Sequence, residues 1–118
     1  MLSPILIAST DTTRRLLVMT VEGPMIDPDH VDALRMVLPV VPAGYSLIVD
    51  LSGVSSFSDT AVEALRAVAL EAAEQGQVMI VVCGDIERRT ELVLADLDTL
   101  VPVVAAVEQA LPLTQAAA

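Results

Sequence analysis

Seven residues of this sequence lie close together and carry side chains suited to chemistry or recognition: Asp50, Ser52, Ser55, Ser56, Ser58, Asp59 and Thr60. An apolar run at residues 46–49 precedes them, and a segment rich in alanine and leucine follows. This pattern predicts a strand, a polar loop over residues 52–58 and a helix that starts at Asp59 and Thr60. Such a geometry presents side chains and free backbone N–H groups at one edge of a sheet. We therefore interpret the stretch as a binding surface.

The same residues do not form a recognisable catalytic set. The chain has one histidine, His30, and one cysteine, Cys83, and it contains no G-x-S-x-G motif. A serine nucleophile needs a base beside it, and one His with one Cys does not make a conventional zinc site. Asp50 is better explained as closing its loop by accepting backbone N–H groups, and Cys83 as a buried, inert thiol. We expect a binding protein rather than an enzyme, with no metal or cofactor.

The charge of the chain limits the classes of partner. The net charge is −10, and all six basic residues are arginines. Because nucleic-acid binding depends on neutralising phosphates, we expect no nucleic-acid partner. The acid excess also disfavours anionic membrane surfaces, whereas it suits a basic protein partner. No apolar run reaches the length of a membrane span and no signal peptide is recognised, so we expect a cytoplasmic protein that does not insert into a membrane.

The 118 residues are long enough for one domain, in which strands alternate with helices after an opening hairpin. Strands are predicted over residues 4–9, 15–21, 46–49, 77–83 and 100–104, the last at a sheet edge. The run at 46–49 lacks polar alternation, which predicts a central strand buried on both faces. Helices are predicted from 27–28 to 38, over 60–75, from 85 to about 95 and over 105–111, with a frayed tail over 112–118. This order predicts an α/β fold: a mostly parallel sheet of about five strands with an N-terminal antiparallel hairpin, and about four helices packed on it.

Four positions are predicted to set helix ends. Asp27 before Pro28, and Asp85, have the character of N-caps, and Gly76 that of a C-terminal stop. Thr60 with Glu63 has the spacing of a capping box, so a cap is the purely structural explanation of Asp59 and Thr60.

The segment Asp50–Val54, DLSGV, followed by a small polar loop and a helix start, resembles the signature of STAS domains, the anti-sigma-factor antagonists and their relatives. Residues 84–89, 97–103 and 107–111 are similar to the C-terminal half of that family. The resemblance covers nearly the whole chain and is strongest from residue 48 to 111. It implies a STAS-like fold.

The resemblance also implies partner switching. An unphosphorylated antagonist binds an anti-sigma factor that is also a Ser/Thr kinase, relieving inhibition of the sigma factor, and phosphorylation at the helix start breaks the complex. Aligned without a gap, Asp59 occupies the phosphoacceptor position and is either an acidic stand-in or a helix cap. With one inserted residue, Thr60 is the acceptor; Ser58 and Ser56 are further alternatives.

A second interpretation has the same fold without a switch. The chain would then be a structural STAS subunit of a signalling or lipid-transport assembly, with other STAS proteins or a second copy of itself as partners. The two interpretations differ in whether kinase and ATP affect the complex.

Overall fold

The computed structural model describes residues 5–23 and 28–116, and its centre is one five-stranded sheet in the order β1-β2-β3-β4-β5. The strands are β1 (Ile5–Asp11), β2 (Leu16–Gly23), β3 (Ser46–Val54), β4 (Met79–Val82) and β5 (Val103–Val104). The β1–β2 pair is antiparallel and the other three pairs are parallel. The predicted hairpin, the parallel sheet and the edge position of the last strand are confirmed.

Four helices join these strands: α1 (Pro28–Arg35), α2 (Asp59–Glu74), α3 (Ile86–Leu94) and α4 (Val107–Ala116). Two short 3-10 turns, Leu38–Val40 and Leu97–Thr99, lie between elements. The predicted order of strands and helices is therefore correct. Pro28 opens α1 as predicted, whereas the N-cap predicted at Asp27 lies outside the described residues.

One face of the sheet carries the larger core. Leu47, Val49 and Leu51 of β3 point to this face and pack with buried residues of α1 and α2, including Leu65. Ile48 points to the other face, so the first part of β3 is buried on both sides, as its unbroken apolar run predicted. The core is aliphatic, because the two aromatic residues of the chain, Tyr45 and Phe57, are only partly buried and pack against its margin.

The second face is covered by α4, which corrects one prediction. The sequence predicted a frayed tail from Pro112, whereas α4 continues through Pro112 to Ala116. Ala110 and Thr114 are buried on the inner side of this helix, and the Thr114 hydroxyl donates to the Leu111 carbonyl at 2.7 Å. Because Pro112 has no backbone N–H, the carbonyl of Glu108 loses its helical hydrogen bond, and Glu108 is exposed to water. The packing of α4 on the sheet therefore outweighs the loss of one helical hydrogen bond at Pro112.

A second correction concerns the length of β3. The sequence predicted that this strand ends at residue 49, whereas it runs to Val54. Its pairing with β2 shifts register between Thr20 and Glu22 and then continues, with Gly53 opposite Glu22. Ser52, predicted in a loop, is thus a strand residue. The extension is stabilised by burial of Leu51 and Val54 in the core.

The end of α2 follows the predicted chemistry. Gly76 has a φ of +71°, which L-residues with a side chain rarely adopt. The Gly76 N–H donates to the Ala73 carbonyl and the Gln77 N–H to the Ala72 carbonyl, the two bonds of a Schellman motif. The predicted stop at Gly76 is confirmed.

Candidate functional site

The predicted binding residues lie at the edge of the sheet where the parallel strands end. Residues 55–58 connect β3 to α2 and are called the switch loop below. The loop is held at its first residue from two sides. The Ser55 N–H donates to the Gly23 carbonyl at the end of β2, 3.1 Å away, and the Ser55 carbonyl accepts from Nη1 of Arg88 at 2.6 Å. The start of the loop is therefore fixed to both β2 and α3.

The polar residues of the DLSGV segment connect β3 to the beginning of α3. Asp50 Oδ1 accepts the Ser52 N–H at 3.0 Å, which confirms the predicted role of Asp50 in closing its own turn of chain. The Ser52 hydroxyl in turn accepts the N–H of Gly84, 3.0 Å away in the β4–α3 connection. Both side chains therefore have structural partners, and Ser52 remains exposed at the surface.

The glycine of this segment permits a close approach of two strands. A Cβ atom built on Gly53 would lie 2.8 Å from Cγ of Glu22 and 3.4 Å from its Cα. Such a contact would displace the Glu22 side chain at the point where the β2–β3 register shifts. The segment thus combines core residues, two polar side chains that bond the backbone, and a close approach of β2 to β3 at Gly53.

The helix cap is Ser58, which corrects the prediction of a cap at Asp59 or Thr60. Ser58 is extended, with φ −73° and ψ 156°, and its hydroxyl accepts the Ala61 N–H at 3.1 Å. The capping box predicted for Thr60 and Glu63 is therefore wrong, because the chain already turns helical at Asp59. Asp59 is the first helical residue, where its carboxylate interacts favourably with the helix dipole.

This arrangement separates the three phosphoacceptor candidates by accessibility. Ser56 and Ser58 are half-buried, and the Ser58 hydroxyl is occupied by the cap. Thr60 is exposed in the first turn of α2, and its Oγ1 lies 3.4 Å from Oγ of Ser58. Asp59 is exposed beside it. Asp59 and Thr60 are thus accessible at the end of the switch loop.

Replacing Ser58 with alanine removes the side-chain acceptor of the cap. We expect the free energy of unfolding to fall by about 1 kcal/mol, because the Ala61 N–H would lose its hydroxyl acceptor. Urea unfolding followed by circular dichroism measures this change. Ser58→Asp is the matched control, since Asp also caps helices, and it should retain most of the stability. A loss equal to that of Ser58→Ala would contradict the assignment of the cap.

Arg88 is a site residue that sequence reasoning missed. Two consecutive arginines are typical of an exposed helix face, whereas the Arg88 side chain is only 19% exposed. Besides binding Ser55, its guanidinium lies 3.2 Å from Glu91 and 3.5 Å from Glu87. One signal was available: an arginine in the first turn of a helix that begins at the sheet edge can reach the neighbouring loop.

Cys83 directly follows β4 and is fully buried, as predicted. Burial raises the pKa of its thiol above the usual range, so the reactive thiolate is scarce near neutral pH. We expect a chromogenic disulfide reagent at pH 8 to modify Cys83 far more slowly in the native protein than in the urea-unfolded chain. The absorbance of the thiolate that the reagent releases measures both rates. Equal rates would contradict the burial of this side chain.

No three His, Cys, Asp or Glu side chains within residues 5–23 and 28–116 are grouped so that they could hold a metal ion. Within the same ranges, the helices fall short of the length and apolar character that membrane spanning demands.

Comparison with known proteins agrees with this geometry. The family model of the STAS domain matches residues 8–110, and the chain belongs to this family. No curated protein sequence matches the chain.

Solved structures show the same fold at low sequence identity. An anti-sigma factor antagonist from Mycobacterium paratuberculosis is 23% identical, with a TM-score of 0.76 over 96% of this chain and 95% of its own. RsbS from Moorella thermoacetica is 15% identical, with a TM-score of 0.74 over 94% and 95%. A sulfate transporter family protein from Wolinella succinogenes is 15% identical, with a TM-score of 0.73 over 92% and 90%. The predicted α/β STAS fold is thereby confirmed.

Proposed function

We propose that this protein is an anti-sigma-factor antagonist that binds an anti-sigma factor with kinase activity through residues 52–61, in the cytoplasm and without catalysing a reaction itself. The observation that carries this proposal is the exposed pair Asp59–Thr60 at the beginning of α2. The pair lies beside the switch loop, whose first residue, Ser55, is held by Arg88. A fixed loop loses little conformational entropy on binding, which favours a preformed interface. The likeness to the antagonist from Mycobacterium paratuberculosis supports the class of partner.

Thr60 is the proposed phosphoacceptor. Its hydroxyl is exposed, whereas Ser58 is committed to the cap and Ser56 is half-buried. A phosphate would add about −1.5 to −2 charges in the first turn of α2, where free N–H groups and the helix dipole tolerate it. The same charge and bulk would disrupt a partner packed on this turn. Phosphorylation would therefore release the partner and leave the domain folded.

The test is a binding and phosphorylation experiment with the anti-sigma factors of the source organism. We expect one of them to bind the purified protein in calorimetry, and to add one phosphate per chain when ATP is present. Mass spectrometry should locate that phosphate on Thr60, and Thr60→Ala should abolish it. The phosphorylated protein should bind at least about a hundredfold more weakly, because a charge buried unpaired at an interface costs several kcal/mol.

A matched control is Thr12→Ala, since Thr12 is also an exposed threonine but lies in the β1–β2 turn at the opposite edge of the sheet. This variant should be phosphorylated and should bind as the wild type does. Phosphate on Ser56 or Ser58 would show that the acceptor is misassigned. Absence of binding to every anti-sigma factor would contradict the proposed function itself.

A second candidate function is favoured by the likeness to the sulfate transporter family protein. The chain would then be a structural subunit of a signalling or lipid-transport assembly, in contact with other STAS domains. In that case its complex should form with the same affinity with and without kinase and ATP, and Thr60→Ala should change nothing.

A further inference from the structure

The outer side of α3 exposes three large apolar side chains. Ile86 is 67% exposed, Val93 42% and Leu94 79%. The helical spacing places these three residues on one side, opposite the fully buried Leu92. We call them the α3 stripe. Exposed apolar patches of this kind mark interaction sites more often than isolated exposed residues do.

The charges bordering the α3 stripe are negative. Glu87 lies beside it with a side chain 80% exposed, and Glu91 follows one turn later, 43% exposed. The two arginines of the helix are turned towards the protein: Arg88 binds the Ser55 carbonyl and Arg89 binds the Cys83 carbonyl at 3.0 Å. Beyond the helix, the next charged residues are exposed acids, Asp96 and Asp98.

We propose that the α3 stripe docks a basic amphipathic helix of a protein partner. Ile86 and Val93 are seven residues apart, one of the spacings at which a helix presents anchors to another helix. The acidic border selects for lysine and arginine beside those anchors, and the net charge of −10 attracts a basic partner from a distance. A second copy of this chain would carry the same charge and the same acidic border, so it is disfavoured.

The helix that carries the α3 stripe is bonded to the switch loop through one side chain. Arg88 lies on the inner side of α3 and holds the first residue of the loop at 2.6 Å. A partner that docks on the stripe would therefore lie against a helix that is bonded to the switch loop. This inference rests on the proposed function for the identity of that partner, but the chemistry of the stripe is independent of it.

The experiment uses a synthetic amphipathic helix of about 14 residues, built from leucine and lysine, added to the full-length, isotope-labelled protein. We expect its addition to shift the NMR amide signals of α3 and the switch loop more than those of α4. A double variant, Ile86→Ser with Leu94→Ser, should weaken the affinity at least about tenfold, because both apolar anchors are lost.

The matched control is the double variant Met36→Ser with Val40→Ser. These residues are 76% and 69% exposed, close to the values of Ile86 and Leu94, and both follow the C-terminal end of α1. The control therefore removes a similar amount of exposed apolar surface elsewhere on the protein. It should bind the peptide as the wild type does, and a leucine–glutamate peptide should not bind. Signal shifts spread over the whole surface, equal losses in the two double variants, or binding of the acidic peptide would each overturn the proposal. Because no anti-sigma factor is present, this result is independent of the test of the proposed function.

Discussion

Replacing Leu65 with alanine is expected to lower the free energy of unfolding by about 2–5 kcal/mol. Leu65 is fully buried in α2, in the core formed with β3. Alanine would remove apolar contacts and leave a cavity that the surrounding aliphatic side chains fill only in part. Since small domains are stable by roughly 5–15 kcal/mol, this single change would consume a large share of the total. Urea unfolding, monitored by circular dichroism, measures the loss.

Leu70→Ala is the control for this experiment. It makes the same change of residue in the same helix, but Leu70 is 47% exposed. Helix propensity changes equally in both variants, so the difference between them isolates burial. We expect Leu70→Ala to change the stability by less than about 1 kcal/mol. Equal losses in the two variants would contradict the packing of α2 on the sheet.

Arg88→Met should have the second largest effect, because it releases the switch loop from α3. Methionine keeps most of the aliphatic stem but loses the hydrogen bond to the Ser55 carbonyl and the ion pairs with Glu87 and Glu91. We expect the free energy of unfolding to fall by about 1–2 kcal/mol. A fully buried hydrogen bond from a charged group would contribute more, but Ser55 is exposed to water. Hydrogen exchange at residues 55–58 should accelerate. Binding to the anti-sigma factor proposed as partner should weaken, since the loop must then be ordered on contact.

Arg35→Met is the matched control. Arg35 also forms an ion pair, 2.7 Å from Glu71, but its side chain is 59% exposed. Exposed pairs of this kind contribute about 0–1 kcal/mol, and this one lies away from the switch loop. Loop exchange should stay unchanged in this variant. If Arg88→Met also left loop exchange and partner binding unchanged, Arg88 would not position the loop.

Local patterns in the sequence were sufficient for most elements of the fold. The apolar run at residues 46–49 predicted a strand buried on both faces because only a central strand hides both sides of its backbone. Gly76 and Asp85 predicted helix ends because their effect depends on neighbouring backbone groups alone. The family signature at Asp50–Val54 predicted the STAS fold for the same reason: it is a continuous stretch of chain.

The site depended on contacts that no local pattern contains. β3 extends past Asp50 because β2 continues to pair with it, and Pro112 stays helical because α4 packs on the sheet. Ser58 is the cap because the chain enters α2 one residue earlier than the pattern of Asp59 and Thr60 suggested.

The sequence alone determined that this is an acidic STAS domain whose polar residues gather between β3 and α2. The tertiary structure decided which of them are accessible. Ser52 and Ser58 are engaged in bonds that hold the chain, Thr60 and Asp59 face solvent, and Arg88 reaches the loop from 33 residues beyond Ser55. The physical reason is that burial and hydrogen bonding at this edge are shared among segments distant in the chain, so they exist only once the sheet has formed.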